Sequence, residues 1–139
     1  MIFRMILPRE VEGVWPEVAP LLAPAVALAE GETTMDLLLE SLVAGVDTRL
    51  VVVTEDERVV VAGVLTMAIF PNKKVCQVSY AGGSRLDEWC DTSIQIIEKI
   101  AKDLGADAIY IQGRKGWVRR FRRHGFFERT TLICKELKE

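Results

Sequence analysis

Six basic side chains, Arg114, Lys115, Arg119, Arg120, Arg122 and Arg123, crowd between residues 114 and 124 with no acid among them. Residues 1–111 carry the opposite balance, 9 basic against 17 acidic groups, so a net charge of −2 hides a cationic patch on an acidic protein. Such a patch attracts a phosphorylated small molecule, nucleic-acid backbone or an acidic protein surface, and guanidinium forks suit phosphate and carboxylate alike. Trp117, Val118 and Phe121 share one helical face, which leaves Arg119, Arg120, Arg122 and Arg123 as an exposed ridge on the other. Because the aromatic residues turn inward, base stacking is not suggested and sequence-specific nucleic-acid reading is not expected. A merely solvated face is the plainer reading of the same ridge.

Other reactive groups are few. Gly82-Gly83 would let backbone approach a phosphate, and Ser84 with Asp87 three residues on has the pattern that opens a helix. Tyr80 and Tyr110 are the only tyrosines. The sole histidine, His124, precedes Gly125, where an imidazole favours the negative end of a helix dipole. Cys76, Cys90 and Cys134 are an odd number without metal-ligand spacing and sit in apolar runs, so they read as core residues of a protein in a reducing compartment, with no metal site.

The elements that must hold these groups follow from periodicity. Ile2–Leu7 reads as a strand ended by Pro8. From Val11, apolar residues take helical spacing, but Pro16, Pro20 and Pro24 predict a broken or kinked helix. Thr33 or Thr34 caps a second helix from Met35 to about Val46, with Leu38, Leu39, Leu42, Val43 and Val46 inward. Strands follow at Leu50–Thr54 and Val59–Ile69 around a turn at residues 55–58, and at Val75–Tyr80, which Ala81-Gly82-Gly83 breaks. A long helix carries Leu86, Trp89, Cys90, Ile96, Ile97, Ile100 and Leu104 on one face and ends at Gly105. A strand at Ala108–Ile111, a short basic helix from Trp117 to His124 and a final strand from Glu128 to Lys135 complete the chain. At 139 residues, half of them hydrophobic, this is one ordinary domain, 1–139, without linker or repeat. No apolar run reaches the ~18 residues of a membrane span, so a soluble, cytoplasmic protein with no membrane contact is expected.

The order β-α-α-β-β-β-α-β-α-β, a mixed α/β (α+β) sheet with helices on both faces, resembles the GNAT superfamily of acyl-CoA-dependent N-acyltransferases over nearly the whole chain. Residues 86–126, a helix ending in Gly105, the strand Ala108–Ile111, the helix Trp117–His124 and then Gly125-Phe126, carry the resemblance most directly. Gly82-Gly83, Trp89, the run from Gly113 to Trp117 and Lys135 look like small GNAT-like proteins of tailed phages. The resemblance implies acetyl-CoA held between two splayed parallel strands, with Tyr80, Gly82, Gly83, Arg85, Arg114 and Lys115 as its contacts. It also implies a small-molecule or protein amine as acceptor.

Two positions depart from the family. Its phosphate loop aligns with residues 85–90, where only Arg85 matches; Glu88 and Trp89 replace small residues, and Asp87, Glu88 and Asp91 bring like charge towards a pyrophosphate. Its general-acid tyrosine aligns with Phe121, and the asparagine that often starts this segment falls on Arg114; Tyr80, at a strand end, is the substitute. The expectation is a GNAT-like N-acetyltransferase fold with a degenerate phosphate loop and weak or absent activity. Its alternative is a non-catalytic interaction module or phage virion component, docking an acidic protein on the Arg119–Arg123 ridge.

Overall fold

A computed structural model describes residues 2–84, 86–113 and 115–138, the side chains of residues 86 and 115 excepted. Alternating β-branched residues build one five-stranded sheet in sequence order: β1 (Ile2–Ile6), β2 (Thr48–Glu55), β3 (Arg58–Phe70), β4 (Lys73–Gly83) and β5 (Ala108–Ile111). The first four are antiparallel, and β5 runs parallel to β4 after a helical crossover. Asp56 and Glu57, both at positive φ (50° and 65°), make the tight turn between β2 and β3.

In β2, Leu50 and Val52 face one side while Val51 and Val53 face the other, and all four are buried because helices cover both faces. On the first face lie α1 (Val11–Leu28) and α2 (Met35–Ala44), which bury Val11, Val18, Leu22, Val26, Leu38 and Leu42. Each such side chain contributes about 1.5–3 kcal/mol when fully buried. On the second lies α3 (Leu86–Asp103), through Trp89, Cys90, Ile94, Ile97 and Ala101. The short α4 (Lys115–Phe121) follows β5, a 3-10 turn at Arg122–His124 extends it, and Gly125 at φ 87° ends it.

Several expectations need correction. The prolines do not break α1, which is continuous over 18 residues. Spaced by four, Pro16, Pro20 and Pro24 all lie on the exposed side, so the carbonyls left without donors (Glu12, Pro16, Pro20) belong to exposed residues opposite the buried stripe. Pro8–Leu28 together is also long and apolar enough to cross a membrane by length and composition, contrary to the expectation from run length; here α1 packs on β3, β4 and α2. Thr34 caps α2 by accepting from the Leu37 N–H at 3.1 Å. The helix stops at Ala44, leaving Val43 and Val46 exposed. Ala81-Gly82-Gly83 does not break β4 but completes it, opposite Gly63, Ala62 and Val61. Along α3 the buried face runs through Ile94 and Ala101, while Ile96 and Ile100 are half-buried and Leu104 is exposed.

The expected last strand is absent among the described residues. Glu128–Lys135 has strand composition but no ladder partner, and every residue in it is exposed, Cys134 included. Only Cys76 and Cys90 are core residues.

Candidate functional site

The site begins with a register fault. Leu65 pairs with Val78 and Val64 with Tyr80, which leaves Ser79 as an extra residue in β4, its hydroxyl 3.2 Å from that of Thr66. A bulge bends its strand. At the same level β5 ends, its last pair being Val78 with Ile111. Among the described residues, β4 from Ser79 to Gly83 is therefore paired with β3 alone, and its other edge has no strand partner there, the kind of edge with which an extended ligand can pair.

Beneath this divergence, on the α3 side of the sheet, lies a cavity of about 50 Å3 reached by Val78, Ala81, Ile94, Ile111, Trp117 and Phe121. Its lining is apolar apart from Ser93 and the thiol of Cys90, and none of its described lining residues is an acid, a histidine, a lysine or a tyrosine. Burial pushes the Cys90 thiol up, more than the neighbouring Arg120 lowers it, so at neutral pH it stays protonated and is a poor nucleophile. A wider, shallow hollow at the β2–β3 turn is lined by Glu55, Asp56, Arg58 and Val60, beside the Gly83 end of β4.

The sequence-predicted residues distribute unevenly around this cleft. Tyr80 lies on the open stretch of β4, but its ring packs with the α1–α2 core, across the sheet from the cavity. Gly82 and Gly83 lie there too, each with a packing reason of its own. A Cβ on Gly82 would stand 2.1 Å from the Leu21 carbonyl oxygen; on Gly83, 2.4 Å from that of Val60 and 2.7 Å from the Cα of Val61. Their bare backbones admit α1 and β3. Lys115 opens α4, while Arg85 and Arg114 lie outside the described residues.

Sequence reasoning missed a clamp between α3 and α4. Arg120 donates to the main-chain oxygen of Asp87 and stands 3.4 Å from its carboxylate. Arg123 donates to Asp91, and His124 Nε2 lies 2.9 Å from the other Asp91 oxygen. An ionised carboxylate only accepts, so Nε2 carries the proton of that bond. Hydrogen bonds from His124 and then Arg123 hold the Asp91 carboxyl below its ordinary value near 3.8. Two corrections follow. The cationic ridge is half spent internally, with Arg119 and Arg122 its exposed remainder. The carboxylates of Asp87 and Asp91 are compensated rather than bare.

Phe121 is 2% exposed, its ring tilted against Trp117 at 5.3 Å and 5.6 Å from Phe126. Tyr110 points away from the cavity, where Lys73 and Arg129 both donate to its hydroxyl; they lower its pKa, Lys73 most.

An acyl-CoA divides into an apolar thioester arm and an anionic end, and the described residues fit the first. The open β4 edge and the apolar floor suit a pantetheine arm and a short acyl group. Backbone fills the position a Cβ would take on Gly82 and on Gly83, and Trp89, at the first turn of α3, is buried.

No family model matches the chain, and no curated protein does. Solved structures do. A tetramutant of the BH1408 protein from Bacillus halodurans superposes with a TM-score of 0.74 at 16% identity, covering 99% of this chain and 100% of that one. A GNAT family acetyltransferase from Staphylococcus aureus gives 0.69 at 16%, covering 98% of each chain. An aminoglycoside acetyltransferase from an uncultured soil metagenomic sample, in complex with sisomicin, gives 0.72 at 11%, covering 99% of this chain and 96% of that one. At these identities the likeness establishes the fold, a GNAT-type mixed sheet.

Proposed function

We propose that this chain binds an acyl-CoA thioester in the β4–β5 cleft and is an N-acetyltransferase-type protein with a degenerate phosphate loop and weak or absent activity. One observation carries the reading: β4 and β5 part at the Ser79 bulge directly over an apolar cavity, which leaves a free strand edge beside room for an acyl group. Bound acetyl-CoA would supply the activated acyl carbon. The chain's own part is to align the thioester arm along residues 79–83 and to keep water off it with Ile111, Trp117 and Phe121.

Transfer to an amine also needs a proton donor for the leaving thiolate and an acceptor for the ammonium proton. Phe121 offers neither, and Ser93 is the one hydroxyl lining the cavity among the described residues. Weak turnover follows. The acceptor class is a small-molecule or protein amine; the likeness to an aminoglycoside acetyltransferase supports the former. Lys115, with Arg85 and Arg114, would meet the anionic end. The buried free thiols of Cys76 and Cys90 support a reducing, cytoplasmic setting.

Calorimetric titration with acetyl-CoA and CoA, at low and moderate salt, tests the proposal. Micromolar, saturable binding is expected, weaker at higher salt. Ala81→Leu, which fills the cleft floor, should weaken it at least ~10-fold, or ~1.4 kcal/mol. No saturation at millimolar ligand, or an indifferent A81L, would overturn it. A second reading, a non-catalytic interaction module such as a phage virion component, is favoured by the lack of any acid or base among the described residues of the cavity wall. It gains ground if ligand binds and no amine is ever acylated.

A further inference from the structure

Tyr110 gathers cations on a face of the sheet that the acyl cleft does not use. Ile109 and Ile111 pack into the cluster built with Ile97 and Ala101 of α3, so Tyr110 between them projects from the other side of β5. There Lys73 and Arg129 both donate to its hydroxyl. Lys73 Nζ lies 5.1 Å from the Tyr110 ring centre and 5.9 Å from that of Phe70, and the Arg129 guanidinium lies 5.2 Å from the Tyr110 ring. These ring contacts hold the two cations in place beside each other.

Among the described residues neither cation is paired with a carboxylate. The acids beside them in the chain have other partners: Asp107 accepts from the Lys74 N–H at 2.9 Å, and Glu128 from the Thr131 hydroxyl at 2.9 Å. The Lys74 ammonium donates to the Leu104 carbonyl. A phenol oxygen that accepts from an ammonium and a guanidinium keeps only its own O–H to give, and that proton must point out between them. Lys73 and Arg129 keep further N–H groups of their own. Donors converge here, and an acceptor is what they lack.

We infer that Lys73, Tyr110 and Arg129 form a binding site for a phosphate monoester. Such a group carries about −1.5 to −2 charge near neutral pH, which matches two cations, and its three oxygens can accept from all three side chains at once. A carboxylate brings one charge and leaves the second cation uncompensated. The site does not rest on the acyl-CoA reading, because Tyr110 stands across the sheet from the cavity.

Amide NMR of the full chain during titration with inorganic phosphate, at constant ionic strength, tests this. Saturable shifts at Lys73, Tyr110 and Arg129 are expected, with a dissociation constant of roughly 1 mM or below and a hexose phosphate binding within ~3-fold of it. Lys73→Met and Arg129→Met should keep the far-UV spectrum and each weaken phosphate about 10-fold. Tyr80→Phe leaves Tyr110 as the one tyrosine. In that variant phosphate should raise the pH at which the phenol ionises, since Lys73 and Arg129 lower it and a bound anion offsets them. No saturation by about 50 mM phosphate, an equal response to acetate, binding of inorganic phosphate but of no ester, or unchanged affinity in both methionine variants would each overturn the inference. Ala81→Leu keeps the two proposals apart. Loss of acetyl-CoA affinity with phosphate affinity intact supports the separate site, whereas loss of phosphate affinity would move the ion to the cleft and overturn it.

Discussion

Gly82→Ala separates a glycine kept for packing from one kept for a ligand. The new methyl would stand 2.1 Å from the Leu21 carbonyl oxygen and 3.2 Å from its carbonyl carbon. Both obstacles are backbone, so no rotamer relieves them, and α1 must lift from β4 by about 1 Å to restore van der Waals contact. That lift loosens Val18 and Leu22, both 0% exposed, and Val26 at 8%. Overpacking typically costs ~1–3 kcal/mol, and a helix-wide displacement belongs at the upper end, about 3 kcal/mol. A loss of that size lowers the melting temperature of a domain this large by roughly 10 °C. Urea unfolding at 25 °C and a thermal scan read it directly. Gly13→Ala, in the same helix with nothing within 4 Å of its added methyl, should instead gain about 0.5–1 kcal/mol through helix propensity. If Gly82→Ala unfolds within ~0.5 kcal/mol of the parent, inside the range of surface substitutions, the packing argument fails. Loss of acetyl-CoA affinity at unchanged stability would return Gly82 to the phosphate.

Asp91 titrates below its ordinary value in the folded chain, so its contribution is full above about pH 4 and is lost as pH falls through its folded pKa. Asp91→Asn should therefore flatten the acid limb of the stability profile below about pH 4; an unchanged limb in acid-titrated urea melts would remove the clamp from the account. Phe121→Tyr places a phenol at the cavity wall. It should cost about 1–2 kcal/mol for burying a hydroxyl and raise acetyl-CoA-dependent acylation of an amine ~10-fold or more. No gain in thiol release at saturating acetyl-CoA would show that a missing acid is not what limits turnover.

What the sequence made legible was set by local punctuation. Gly105 and Gly113 bracket Ala108–Ile111, and β5 has those bounds; of the two threonines before α2, Thr34 is the cap, while Gly45 ends that helix short of the expected Val46. The failures were non-local. Three prolines spell a break until the fold turns them all to water. Gly82-Gly83 spells a break until Leu21 and Val60 need the space. Glu128–Lys135 spells a strand, and composition cannot supply the neighbour it needs. The α3–α4 clamp had a faint signal: Asp87 and Asp91 are one helical turn apart, and so are Arg120 and Arg123, so two matched rows of charge can meet. The apolar cavity had none, being made by where a bulge and a strand end coincide.

The claim that the β4–β5 divergence is the ligand site is tested most directly by amide NMR during an acetyl-CoA titration. The account predicts saturable shifts at Ser79–Gly83, Ile111 and the Trp117 indole. Shifts confined to Glu55–Val60, or none with ligand in excess, would contradict it.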